Sequence, residues 1–345
     1  MDNYNQTPNV TFLLLCYKQE QYVEPAIRGA LTQDYPNLDI LISDDNSPDR
    51  TFEIAERIVS DYGGSHRVRS RRNTVNMGLV EHLNSVMCEI TTEVVVIAAG
   101  DDISFSNRVS KIMEAYLQAD KPMLISSNAY RIDTDGKRVD GIAPLSVVSI
   151  NDLQAVISSL DHLDSRVGLY LGASGAWRLD LWKKYGPIRY GHCWEDVVMG
   201  FRAALERSYC HIDEPLLDYR IGIGLSSEKA TSLRDKVLSR KARVLLKRDL
   251  ANQRSADIDL VELPSYFTEI VDKQLRRYSI LSSIYVSPSE FLSYFKSHPL
   301  ESLLMIGSEA FFYTRSFLKI LTGRLIKKFY SLSRFKVCET KDGNK

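Results

Sequence analysis

Six apolar residues, Val94-Val95-Val96-Ile97-Ala98-Ala99, run unbroken into Gly100 and then into two adjacent carboxylates, Asp101-Asp102. A run this rich in β-branched residues suits a central parallel strand covered on both faces, which commits the chain to an α/β fold. Charge begins where the strand must end, and that rim is where ligands bind in open α/β sheets. Two neighbouring acids repel each other unless a cation or a set of donors lies between them. Hard oxygen ligands of this kind suit a divalent ion, Mn2+ or Mg2+, carrying a diphosphate. A capped turn opening the next helix is the alternative at this point.

The rest of the first half repeats strand and helix patterns in alternation. Val10 to Tyr17 reads as a first buried strand. Val23, Ala26, Ile27, Ala30 and Leu31 then recur at helical spacing, with Pro25 in the first turn. Leu38 to Ser43 is a second strand and ends in Asp44-Asp45-Asn46-Ser47-Pro48-Asp49. Ile54, Ala55, Ile58, Val59 and Tyr62 line a second helix. His66 to Asn73 is basic and polar and reads as a loop. A helix follows from Gly78, another spans about Asn107 to Leu117, and Met123 to Ala129 is a further strand. The alternation predicts a mostly parallel central sheet with helices on both faces. Its carboxyl rim would then carry two acid pairs, Asp44-Asp45 and Asp101-Asp102, in one crevice.

Charge divides the chain. The whole carries 44 basic and 44 acidic residues, but from Thr231 onward the count is 21 basic against 12 acidic. An acidic body with a basic tail points to an anionic surface as the tail's partner. The five cysteines form no C-x-x-C pair, which argues against a zinc ribbon and suits a reducing compartment. No apolar stretch reaches the ~18 residues of a spanning helix, and no leader is apparent, so a cytoplasmic location is expected. Nothing points to a nucleic-acid partner.

With these pieces in place, the first half resembles the family 2 glycosyltransferases of the GT-A fold, a Rossmann-like α/β architecture. The matching segments are Cys16-Tyr17-Lys18-Gln19, Leu31 to Pro36, Ile42 to Asp49, Asn76-Met77-Gly78, Asn84 and Ala99-Gly100-Asp101-Asp102. Trp194-Glu195-Asp196 followed by Arg202, then Asp213 to Leu216 and Tyr219-Arg220, complete the likeness, which covers Val10 to Ser227. The resemblance implies a GT-A domain over residues 1–228; the residues after it, 229–345, read by their own pattern as a helical, basic region. It implies roles as well. Tyr17 would stack on a nucleotide base, and Asp45 would accept the imide N–H of uracil or thymine. Asp101 would approach the ribose, Asp102 would bind the metal, and Asp196 would be the general base with Glu195 beside it. Asn76 belongs to the nucleotide-binding set, and Asp44 joins that set or holds its loop. Gly172, Ser174, Trp194 and His192 are candidates for the acceptor side, with Arg220 and Lys229 as candidate clamps on the diphosphate. The sequence departs from the usual pattern at Lys18, where asparagine is common, and at Asn46, where glycine is usual.

The chemistry asks for these groups on its own account. Breaking a sugar–diphosphate bond requires the departing dianion to be neutralised, which a divalent cation does as a Lewis acid. The acceptor hydroxyl loses its proton as the anomeric carbon is attacked, so a carboxylate must reach it. One base and no second carboxylate placed as nucleophile imply a single inverting displacement, by analogy with glycosidase logic. The expected activity is inverting transfer from a nucleotide diphosphate-sugar, UDP-linked by preference, to a saccharide hydroxyl. A lipid-linked acceptor in bacterial surface polysaccharide assembly, lipopolysaccharide included, fits the family. The basic, aromatic stretch from Ser308 to Lys336 suits a helix lying on an anionic membrane surface, or one packed on a partner chain. Two rivals are a non-catalytic nucleotide-sugar-binding scaffold of the same fold and a nucleotidyltransferase. The second would carry a glycine-rich phosphate loop where Tyr17-Lys18-Gln19-Glu20 stands.

Overall fold

Three apolar strands meet at the middle of the sheet: β1 (Val10–Cys16), β2 (Leu38–Asp44) and β4 (Val94–Ala99). In the computed structural model, which describes residues 7–143, 150–159, 169–223, 233–299 and 302, both β2 and β4 pair with β1 in parallel. Cys16 lies opposite Asp44, and Leu15 opposite Ala99, so the three strands end together. That common end is what places the two acid pairs on one rim.

The period-two alternation decides which face each residue serves. Phe12, Leu14, Ile40, Ile42, Val94, Val96 and Ala98 point to one core. There they meet helices α1 (Val23–Leu31), α2 (Thr51–Ser60) and, after β4, α4 (Arg108–Gln118). Leu13, Leu41, Val95 and Ile97 point to the other core, built on α3 (Leu79–Met87) and on segments later in the chain. Both faces of the central strands are therefore covered, as their apolar sequence requires.

The expected loop from His66 to Asn73 is instead largely a strand, β3 (Arg67–Arg72), paired in parallel with β2 at the sheet edge. Its sequence, RVRSRR, has a single apolar residue and gives no strand signal by hydrophobic pattern. Backbone pairing to Asp39–Asp44 forms it, and charge on an edge strand is a common device against unwanted pairing. Arg67 reaches Asp39, while Arg69 and Arg71 reach Glu89.

Beyond β4 the sheet continues with mixed polarity. The short β5 (Ile103–Ser104) follows Asp102, and α4 leads to β6 (Leu124–Ile132), which turns back as β7 (Arg138–Ile142). After α5 (Leu153–Ser159), the strand β8 (Ala176–Arg178) inserts antiparallel between β4 and β6. Helices α6 (Leu179–Tyr185) and α7 (Glu195–Leu205) come next, and β9 (Tyr209–Arg220) pairs with β6 and with β5. The full order is β3-β2-β1-β4-β8-β6-β9-β5, with β7 on β6.

Three helices end the described chain: α8 (Leu233–Ile258), α9 (Ser265–Val286) and α10 (Pro288–Ser297). Residues 1–228 and 246–276 form one compact unit, and 229–245 with 277–345 form a second. Within the first unit, Leu246, Leu250, Ile258, Phe267 and Val271 complete the core over α7. Among the described residues no helix is long and apolar enough to cross a membrane. Lys229 and the stretch from Ser308 to Lys336 lie outside the described residues.

Candidate active site

The end of β4 is fixed first. The Gly100 N–H donates to the Leu15 carbonyl at 2.9 Å, which holds the turn to β1. A Cβ at Gly100 would lie 2.4 Å from Gln19 Oε1 and 2.9 Å from the Cys16 sulfur, so no larger residue fits between β4 and the loop after β1. Asp101 and Asp102 follow at the rim. Asp102 is buried and accepts the Arg220 N–H at 2.8 Å through Oδ1, while its Oδ2 is buried with no partner among the described residues. Burial pushes the Asp102 carboxyl well above the usual carboxylate range, and the Asp101 charge pushes it further. An orphaned, desolvated carboxylate oxygen is an expensive arrangement unless something occupies its open side. A divalent cation suits that oxygen: its hard-oxygen preference matches the donor, and such ions commonly take one or two carboxylates together with substrate phosphates. Among the described residues no three His, Cys, Asp or Glu side chains converge on one point.

Arg220 closes this corner from β9. Its Nε donates to the Asp101 carbonyl at 2.9 Å and its Nη1 to the carbonyls of Asp133 and Thr134 at 2.8 and 3.2 Å. The guanidinium also lies over the Tyr22 ring, 4.6 Å from its centre. These bonds turn it toward the protein backbone.

The second acid pair is held differently. Asp44 is fully buried and accepts the Ser47 N–H and Oγ–H at 2.8 and 2.5 Å, with the Arg72 Nε 3.5 Å away. It holds its own loop. Asp45 accepts three bonds, from Asn73 Nδ2 at 2.7 Å and from the backbone N–H groups of Met77 and Gly78 at 2.9 and 2.8 Å. Two fall on Oδ1 and one on Oδ2, so Oδ2 keeps acceptor capacity. Asn76 supports the same turn by accepting the Gly78 N–H at 3.0 Å. Asn46 has φ +57° and Lys18 has φ +55°. Asparagine tolerates this left-handed region better than most residues, which accounts for its standing where glycine is usual. Tyr17 is 38% exposed at the end of β1, with the Lys18 ammonium 5.0 Å from its ring centre.

Glu195 and Asp196 open α7, where acids complement the helix dipole. They reach the rim through a short turn, Gly172–Ser174. The Gly175 carbonyl accepts the Ile97 N–H of β4 at 2.9 Å, which seats that turn beside β4. A Cβ on Gly172 would stand 2.8 Å from Glu195 Oε1 and 3.2 Å from Asp196 Cβ, so a larger residue here would displace the Glu195 carboxylate and crowd Asp196. Burial raises the Asp196 carboxyl well above its ordinary value and the neighbouring Glu195 charge adds to the shift. Burial raises Glu195 too. Of the acceptor-side candidates, Ser174 is buried, with its hydroxyl donating to the Leu171 carbonyl at 2.7 Å. Trp194 packs against the core, and His192 Nδ1 lies 2.7 Å from Asp249 Oδ2.

One residue that the sequence reading passed over belongs with this group. Arg108 is 0% exposed; its Nη1 donates to Ser104 Oγ at 2.8 Å and its Nη2 to the carbonyls of Ile97 and Ala173, both at 2.7 Å. It thus staples β4, β5 and the Gly172 turn together. Burial lowers its pKa to about 10 against the pull of the Asp102 charge. A cation at this depth offsets part of the repulsion between the paired acids. The available signal was a charge in the apolar phase of α4, shared with Ile112 and Tyr116.

Comparison with known proteins bears on this arrangement. Residues 11–157 match the family model described as Glycosyl transferase family 2. EpsE of Bacillus subtilis (strain 168), a protein classed with the glycosyltransferases, is 31% identical over 107 residues, which is 31% of this chain and 38% of EpsE. Poly-beta-1,6-N-acetyl-D-glucosamine synthase of Staphylococcus epidermidis is 28% identical over 100 residues, 29% of this chain and 23% of the synthase. The chain thus spans under two fifths of either relative. Among solved structures, S. aureus TarS in complex with UDP-GlcNAc superposes with a TM-score of 0.56 at 16% identity, covering 80% of this chain and 74% of that one. The TarS complex with UDP gives 0.53. The shared fold is GT-A.

Proposed function

We propose that this chain, whose residues 11–157 match the model of glycosyl transferase family 2, transfers a sugar, with inversion, from a UDP-sugar to a saccharide hydroxyl in surface polysaccharide assembly. The observation that carries the reading is the buried, unpartnered Oδ2 of Asp102 on the rim that also bears Asp45 and Tyr17. Tyr17 offers an exposed ring for the base, and the remaining acceptor capacity of Asp45 Oδ2 suits an imide N–H. Asp101 lies one residue away for the ribose. Asp102 would hold a divalent cation, which when bound supplies Lewis-acid neutralisation of the departing diphosphate. Asp196 takes the proton of the acceptor hydroxyl, and its raised pKa makes it a stronger base once ionised. Glu195 orients it. The UDP-GlcNAc bound to TarS and the polymer made by the S. epidermidis synthase favour a uridine donor and a saccharide acceptor. A lipid-linked acceptor on the inner face of the membrane would be met by the basic C-terminal region. The test is a panel of nucleotide sugars with Mn2+, with nucleoside diphosphate release measured for each. Release from one or more UDP-sugars is expected, and a panel without release or metal-dependent binding would remove the proposal.

The proposal carries a pH dependence with a definite sign. Asp196 acts only when ionised, and its carboxyl is shifted upward, so the transfer rate should rise with pH along a limb lying above the ordinary aspartate value near 4. Glu195→Gln removes the like charge beside it and should move that limb to lower pH. An unmoved limb in the pH–rate profile would show that the two acids do not interact.

A further inference from the structure

The segment between α6 and α7, Gly186 to Trp194, leads directly into Glu195-Asp196 and carries no regular structure of its own. It is nevertheless pinned from two sides. From α3, the Asn84 side chain treats Ile188 as a strand neighbour would: Nδ2 donates to the Ile188 carbonyl at 2.8 Å and Oδ1 accepts the Ile188 N–H at 3.0 Å. From α8, three side chains at a spacing of four lie on one stripe: Asp249, Gln253 and Asp257. Gln253 Oε1 accepts the Arg189 N–H at 2.7 Å, and Asp249 Oδ2 meets His192 Nδ1 at 2.7 Å. Asp257 takes a two-pronged pair from Arg202 of α7, at 3.0 and 3.1 Å, while Nη1 of the same arginine donates to the Gly186 carbonyl at 2.9 Å. Gln253 Nε2 donates to Asp257 Oδ1 at 2.9 Å and ties the stripe together.

The clamping side chains Arg202, Asp249, Gln253 and Asp257 are buried, Asn84 is half-buried, and His192 and Arg189 are exposed. Polar groups at such depth are costly unless bonded, and here Asn84, Arg202, Asp249 and Gln253 each bond to the one segment that delivers the acids. We propose that Asn84 and Gln253 are positioning residues for the transfer reaction: together they fix the backbone at Ile188–Arg189 and so set where Asp196 stands. The proposal rests on the sugar-transfer reading for its catalytic consequence, although the clamp itself does not. It also makes α3 a strut. The amino end of that helix is held by Asp45 through Met77 and Gly78, and the fourth residue after its second position, Asn84, holds the loop leading to the acids. Misplacement of a reacting group by about 1 Å can cost roughly a hundredfold in rate.

The test uses the full chain, native and with Asn84→Ala or Gln253→Ala, and Asn84→Asp as a milder variant that keeps the acceptor for the Ile188 N–H. Hydrogen exchange read by mass spectrometry should show amides from Ile188 through Val198 losing about tenfold in protection together in both alanine variants. Met77 to Val80, at the start of α3, should exchange as in the native chain, and Asn84→Asp should fall between native and Asn84→Ala. In nucleotide release from UDP-GlcNAc with Mn2+, kcat should fall about tenfold or more while KM stays within about twofold. Loss of protection confined to Ile188 and Arg189, with Val197 and Val198 unchanged, would overturn the proposal. So would an unchanged kcat with a raised KM. If native protein releases no nucleotide from any donor, the sugar-transfer reading fails, and the exchange pattern alone decides whether the clamp sets the start of α7.

Discussion

Asp196→Asn is expected to lower sugar transfer by about 10²–10⁴-fold, the usual contribution of a positioned general base, and to leave donor binding unchanged. The substitution keeps the shape of the side chain, and its Oδ1 can still accept the Val197 N–H, a bond of 2.7 Å in the native protein. The start of α7 is therefore retained, and only the ability to take a proton is lost. Initial rates of nucleotide release in the presence of acceptor, set against the dissociation constant for donor, separate the two effects. Normal transfer by the variant would show that the proton goes elsewhere.

Asp257→Ala should destabilise the fold by about 3–5 kcal/mol, the cost of leaving a buried charge without its partner. Arg202 has no exposed side-chain surface and Asp257 has 2%, so water cannot replace the lost carboxylate. Burial raises the Asp257 carboxyl even though Arg202 and Gln253 donate to it, so at this group desolvation outweighs those bonds. Replacing both residues by apolar ones of similar volume, Arg202→Met with Asp257→Leu, should accordingly recover most of the loss. Urea unfolding of the native protein and the two variants measures this. Equal destabilisation by the single and the double replacement would mean that the pair contributes net attraction.

Much of this architecture could be read from the sequence because the central strands are apolar on both faces and the surrounding helices carry regular stripes. The run from Val94 to Ala99 fixes a buried parallel strand, and with it the rim on which Asp101 and Asp102 fall. β3 could not be read in the same way: its arginines give no hydrophobic period, and it exists because β2 offers a backbone edge. The mixed polarity added by β8 and β9 was equally hidden, since antiparallel insertion of a three-residue strand leaves almost no local signature. Within the site, the residues proposed to face a ligand were visible as acids at strand ends. Those that face other protein groups were not. Arg108, Asn73 and Gln253 act through partners 65, 28 and 64 residues away, and nothing in their neighbours announces those contacts. His192 and Ser174 show the converse. Their local sequence suggests an acceptor pocket and gives no sign that His192 Nδ1 meets Asp249 or that Ser174 Oγ donates to the Leu171 carbonyl.

Asp102 Oδ2, which no group among the described residues meets, is where a metal-held diphosphate would bind. Calorimetric titration of UDP into native protein and into Asp102→Ala, each with and without Mn2+, examines that claim directly. Native protein should bind UDP only with the ion present, and the variant should lose that metal-dependent binding by about tenfold or more, as expected for removal of a metal ligand. Equal UDP affinity in all four titrations would contradict it.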